Sequence, residues 1–173
     1  CTVYIKKLKL NIKINKTMKK LILLLFVSLS FTTFSQQVEN DWTTDMNQAI
    51  EISQETGKPI MLFFTGSDWC GWCKKLVKEV YKTSEFNKWA KKNVVLVEVD
   101  FPRRTKLSEK VTKQNKELQQ MFGVRGYPTV WFVTPEKGDN GQVNLQKIGS
   151  TGYVAGGPTK WIAAASIEIS KKK

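Results

Sequence analysis

Apolar residues recur along this chain in two rhythms. Over residues 45–56, Met46, Ala49, Ile50 and Ser53 return at spacings of three and four, which places them on one helical face, and Gly57 supplies a stop. Pro59 then opens Ile60-Met61-Leu62-Phe63-Phe64, a short continuous apolar run of the kind an interior strand shows when both faces of its sheet are covered. From Cys70 the helical rhythm returns: Cys73, Leu76, Val77 and Val80 fall on one side, while Lys74, Lys75, Lys78, Glu79 and Lys82 fall on the other. Residues 94–99 are a second near-continuous apolar run, so the pattern predicts two buried parallel strands joined through a helix that begins at the cysteines.

Residues 101–106 are polar and read as a loop carrying solvated charge at Arg103-Arg104. Ser108 or Thr112 begins a further helix with Val111, Leu118, Met121 and Phe122 on its apolar side, closed by Gly123. After Gly126-Tyr127-Pro128 comes a third strand, residues 129–133. The turn dipeptide Asn140-Gly141 then leads into a fourth and antiparallel one over 143–148. A last helix, 158–169, offers Trp161, Ile162, Ala165 and Ile169 to the core. The expected fold class is therefore α/β, with a central mixed sheet of four to five strands and helices on both faces. Trp42, Trp89, Trp131 and Trp161 are expected in or against the core.

The beginning of the chain follows neither rhythm. Met18-Lys19-Lys20 precedes a mostly apolar stretch to Phe34, with the small residues Thr33 and Ser35 placed as in a secretory cleavage site. Residues 18–35 are read as a signal peptide cut after Ser35, the alternative being an uncleaved anchor. Residues 1–17 lie upstream of a complete signal and are read as an extension from an early assigned start. Residues 36–173 then form one domain, exported to the periplasm or secreted, and Cys1 does not reach it.

Charge changes the picture less than its total suggests. The 173 residues carry 28 Lys plus Arg against 15 Asp plus Glu, a net charge of +13. Seven of those lysines lie in residues 1–35, which hold no acid, so the remainder carries only +6. That surface is mildly basic, and nucleic-acid binding is not expected. Histidine is absent. Its absence removes Ser-His and Cys-His catalysis, His-ligated metals and c-type haem attachment.

The chemistry that remains is carried by Trp69-Cys70-Gly71-Trp72-Cys73-Lys74. Thiol–disulfide exchange needs a thiolate that attacks and a second thiol close enough to release it from the mixed disulfide. Two cysteines three apart across a first helical turn meet that need, and unpaired backbone N–H groups at a helix start favour the anion. Cys70 is read as the attacking group and Cys73 as the resolving one. A structural zinc site would want four ligands, and two thiols without histidine do not supply them, save in a site shared by a dimer. A purely structural disulfide would more often close a longer loop.

These residues, with Gly126-Tyr127-Pro128-Thr129 about 55 residues downstream, resemble the thioredoxin family and in particular its secreted thiol–disulfide oxidoreductases. The resemblance spans roughly residues 41–170. It implies a thioredoxin-like fold, Cys70 as nucleophile, Cys73 as resolving cysteine, and Pro128 as the cis-proline whose preceding backbone, at Tyr127, pairs with substrate. It also implies a groove glycine, at Gly149 or at its competitor Gly152. Trp69, Gly71, Trp72, Tyr127, Pro128 and Gly149 are the expected substrate-binding residues. No metal or organic cofactor is required; protein thiols and disulfides are the partners, with a membrane electron donor or acceptor, and the chain is expected to be a monomer. Many thioredoxins place a buried Asp in the strand before the cysteines. Here Phe63 or Phe64 takes that place, leaving water, Asp68 or Glu98 to move the resolving thiol's proton. Gly71, and the lack of a histidine between the cysteines, favour a reductase over an oxidase. The alternative function is a non-catalytic thioredoxin-fold protein that binds peptides or partner chains.

Overall fold

The computed structural model describes residues 42–138 and 141–171. The upstream extension, the signal peptide and the Asn140 half of the predicted turn lie outside the described residues. The first helix, α1 (Met46–Thr56), starts where Asp45 accepts the Asn47 N–H at 2.9 Å and ends at Gly57, whose φ of 70° is the left-handed conformation glycine adopts without a steric penalty. Strand β1 (Ile60–Thr65) follows, with all six residues buried.

Between β1 and β2 (Val95–Asp100) the chain makes two helices, where the apolar rhythm predicts one. Helix α2 (Gly71–Leu76) passes into a π-helical turn (Val77–Tyr81), which brings both Val80 and Tyr81 into the core. Thr83 then caps α3 (Ser84–Asn93) by accepting the Phe86 N–H at 3.2 Å. The sequence reading missed α3. Thr83 is its helix-start signal, but it is masked by the lysine-rich run around it. Helix α4 (Glu109–Phe122) starts at Ser108, one of the two predicted caps, and ends at Gly123. Met121, expected on its apolar side, is 53% exposed; Phe122 takes the inward position. Strands β3 (Thr129–Lys137) and β4 (Val143–Thr151) form the hairpin and are longer than predicted, and α5 (Gly157–Ser170) closes the fold with Pro158 in its first turn.

The sheet order is β2-β1-β3-β4, with β1 and β2 parallel and the other pairs antiparallel. Because neighbouring side chains on a strand point to opposite faces, β1 serves two cores at once. Met61 and Phe63 join Leu76, Val80, Tyr81, Phe86, Phe132 and Trp161 under α2, α3 and α5. Ile60, Leu62 and Phe64 join Met46, Ala49, Val97, Leu118 and Phe122 under α1 and α4. This is why the run from Ile60 to Phe64 shows no alternation. Thr43 pairs with Val97 along the outer edge of β2. Trp161 is fully buried, while Trp42, Trp89 and Trp131 are half-buried against these cores.

Candidate active site

Because β1 and β2 run parallel, the segments that leave their C-terminal ends emerge at the same end of the sheet, where α/β proteins usually place their sites. After β1 the chain turns at Gly66, whose carbonyl accepts the N–H groups of Trp69 at 3.2 Å and Cys70 at 2.8 Å. A side chain at Gly66 would run into the Trp69 indole, so the tight turn requires glycine. Cys70 then stands at the cap of α2, its Sγ accepting the Cys73 N–H at 3.2 Å. The two cysteines are joined in a disulfide, with Cα atoms 5.3 Å apart. Cys70 is 6% exposed and Cys73 1%, so Cys70 is the less buried residue of the pair, although both are more buried than the sequence suggests. Gly71 is exposed, and an added Cβ there would meet nothing within 4 Å.

The two tryptophans of the motif lean in different directions. Trp69 donates its indole N–H to the Phe101 carbonyl at 2.8 Å and meets the Tyr127 ring edge-on at 5.7 Å. Trp72, 58% exposed, lies 5.2 Å from the ring of Tyr153. The Tyr127–Pro128 peptide bond is cis, and Gln119 donates to the Tyr127 hydroxyl at 2.6 Å, fixing the ring beside Trp69.

The two candidate groove glycines are placed differently. Gly149 pairs with Phe132 within the hairpin, and a Cβ there would collide with Glu168 of α5. Gly152 sits just past β4, where a Cβ would come within 3.2 Å of the Pro128 carbonyl.

Phe63, not Phe64, faces the cysteines: it shares their core, while Phe64 packs on the opposite side of the sheet. Its register partner is Glu98, whose carboxyl is pushed above the usual carboxylate range by burial and then by the neighbouring charge of Asp100. Asp68 is the reverse case. The backbone N–H groups of Arg103 and Arg104 donate to its carboxylate and hold it below the usual range. Burial raises the phenols of Tyr81 and Tyr127, with Asp100 adding to the latter.

Three parts of this neighbourhood escaped the sequence reading. Tyr153 follows Gly152 directly, yet nothing in its spacing ties it to Trp72. Phe101 and Arg103 lie in what reads as an ordinary polar loop; only the parallel pairing of β1 and β2 brings that loop to the cysteines.

Against known proteins, the thioredoxin-like domain family matches residues 46–150, a span that holds both cysteines and the cis-proline. The chain belongs to that family. It is 37% identical over 108 residues to the disulfide bond reductase DsbH of Chlamydia pneumoniae, covering 62% of this chain and 65% of that protein. It is 30% identical over 142 residues to the thioredoxin-related protein DsbJ of the same organism, covering 79% and 39%. The chain thus spans less than two thirds of the length of either relative. Among solved structures, the DsbH oxidoreductase superposes with a TM-score of 0.66 at 31% identity, over 76% of this chain and 85% of that one. A thioredoxin from Thermus thermophilus, at 16% identity and a TM-score of 0.55 over 77% and 90%, shares the fold.

Proposed function

We propose that this thioredoxin-like protein is a thiol–disulfide oxidoreductase that reduces disulfides of exported proteins, with Cys70 as nucleophile and Cys73 as resolving cysteine. The observation that carries the reading is the Cys70–Cys73 disulfide itself, set at a helix start with Cys70 less buried than Cys73. In the reduced protein the Cys73 N–H that now points at Cys70 Sγ would stabilise a thiolate there. That thiolate attacks one sulfur of a substrate disulfide; a Cys70–substrate disulfide forms and the other substrate sulfur leaves as a thiolate. Cys73 then gives up its proton and attacks Cys70 Sγ. The mixed disulfide breaks, the second substrate thiol departs, and two electrons have passed from the dithiol to the substrate. A reduced dithiol partner at the membrane would restore the pair by the same exchange in reverse.

Around the sulfurs, the cis-Pro128 bond leaves the Tyr127 backbone to pair with an extended substrate, and Trp69, Gly71 and Trp72 border the approach. Gly152 serves as the groove glycine in place of Gly149, because it is the one that stands against Pro128. Similarity to a protein named disulfide bond reductase supports the reducing direction. Export through the leader at residues 18–35, and action as a monomer, belong to the same proposal.

Trapping tests it. In a Cys1→Ser background of the full chain, Cys73→Ser should accumulate mixed disulfides with exported proteins, and Cys70→Ser should not. Equal behaviour of the two variants would overturn the assignment. The reduction potential against glutathione separates the directions: a strongly reducing value is expected, and an oxidising one would make the protein a disulfide donor.

A further inference from the structure

Building on the exchange reading, we propose that the surface around the dithiol selects disulfide-bearing segments with acidic residues close to their cysteine. Both tryptophans that bracket Cys70 carry a cation. The Arg103 guanidinium lies 4.1 Å over the Trp69 ring, and the Lys75 ammonium lies 5.1 Å from both the Trp72 and the Tyr153 rings. Each capped aromatic immediately precedes one cysteine of the disulfide, Trp69 before Cys70 and Trp72 before Cys73.

The acids of the same region are turned toward the protein's own donors. Asp68 accepts the backbone N–H groups of Arg103, at 3.1 Å, and Arg104, at 2.6 Å. Asp100 accepts the Ser67 N–H at 2.8 Å and its hydroxyl at 2.5 Å. Glu79 accepts the Tyr153 hydroxyl at 2.6 Å and stands 3.9 Å from Lys75. Arg103, resting on Trp69, is therefore not simply solvated charge, as the sequence suggests, while Arg104 keeps an exposed side chain. Asp68 ties their backbone beside the active site, and the side chains that project from that tether are exposed cations.

A guanidinium resting on an aromatic face retains N–H groups in its own plane, in the fork geometry that suits a carboxylate. Lys75 offers a point charge at the Trp72 and Tyr153 rings, and Lys74, bonded to the Asp68 carbonyl at 2.8 Å, adds a third cation near the cap of α2. Acidic side chains flanking a substrate cysteine would meet Arg103 at Trp69 or Lys75 at Trp72. Complementary charge of this kind acts mainly on the rate of encounter and weakens as salt screens it.

The test uses the purified full chain, first reduced with excess small dithiol that is then removed, and three synthetic peptides that share one disulfide core and differ only in acidic, neutral or basic flanks, with an uncharged small disulfide as a reference. At low salt the acidic peptide should be reduced about ten-fold faster than the basic one, within the range electrostatic steering reaches. That ratio should shrink toward one at high salt. Joint charge reversal, Arg103→Glu with Lys75→Glu, should invert the preference, which also reports that the variant is folded. Reduction of the small disulfide together with equal rates for the three peptides would sink this inference and leave the exchange reading standing. Failure to reduce the small disulfide at all would sink both. Should the double variant not fold, the salt dependence of the unmodified chain decides the matter alone.

Discussion

The two faces of the sheet are built from the same strand and do different work. Under α1 and α4 the fully buried core is mostly aliphatic: Ile60, Leu62, Val95, Val97, Val99 and Leu118 close around Phe64 and Phe122, with Phe101, Tyr127 and Trp131 packed half-buried at its margin, and it holds neither cysteine. Under α2, α3 and α5 the core is dominated by rings, with Trp42, Phe63, Tyr81, Phe86, Trp89 and Trp161 in successive contact, and it holds the disulfide. Rings supply large, stiff contact area and mutual edge-to-face packing. The helix that carries the disulfide rests on such a floor, where stiff rings leave less room to repack than aliphatic side chains do. The ring-rich face thus carries the disulfide directly, while the other face reaches the site only through Phe101 and Tyr127 at its margin.

The sharpest way to break this comparison is to truncate neighbouring residues of β1. Phe63→Ala and Phe64→Ala should each lower stability by about 3–5 kcal/mol, as removal of a buried ring does, in denaturant unfolding. Only Phe63→Ala should also slow exchange in the protein that remains folded, since its ring shares a core with Cys70 and Cys73. An equal effect of both on exchange would mean that the two faces are coupled.

A smaller effect separates the glycines. Gly152→Ala places a methyl against the Pro128 backbone, so it should raise the KM for protein disulfides several-fold with little change for a small thiol reagent. Gly149→Ala displaces Glu168, a side chain on the edge of α5, and should register in thermal unfolding and not in KM. The opposite pattern would return the groove to Gly149.

The smallest effect belongs to Glu98, the carboxyl beside Phe63. Its pKa is raised on folding, so its favourable contribution is present in full below the ordinary glutamate value of 4.5 and is lost as pH rises through the folded value. Glu98→Gln should remove that dependence. The variant should gain on the parent across this window in unfolding midpoints taken from pH 4 to 7, and parallel curves would show that the group is not perturbed.

Much of the fold was legible because local chemistry announces it. Asp45, Ser108, Gly57 and Gly123 begin or end helices by hydrogen bonding and backbone conformation that depend on a few neighbouring residues, and an unbroken apolar run such as Ile60 to Phe64 has few places to go except an interior strand. The cysteine pair was legible for the same reason, since its spacing is that of one helical turn. Apart from α3, whose local cap Thr83 is hidden in a lysine-rich run, what escaped is what depends on distant pairing. The one-residue choice between Phe63 and Phe64 depends on which face of the sheet receives α2. Glu98 becomes a neighbour of Phe63 only through the register of β1 on β2. Tyr153 reaches Trp72 only after the hairpin has folded back, and Arg103 reaches Trp69 only because two parallel strands end side by side. By itself the order of residues determined most of the elements and the close cysteine pair, because both are written in contacts a turn or less apart. The surroundings of that pair were decided by the tertiary structure, because strand register and crossover bring together side chains that no local periodicity relates.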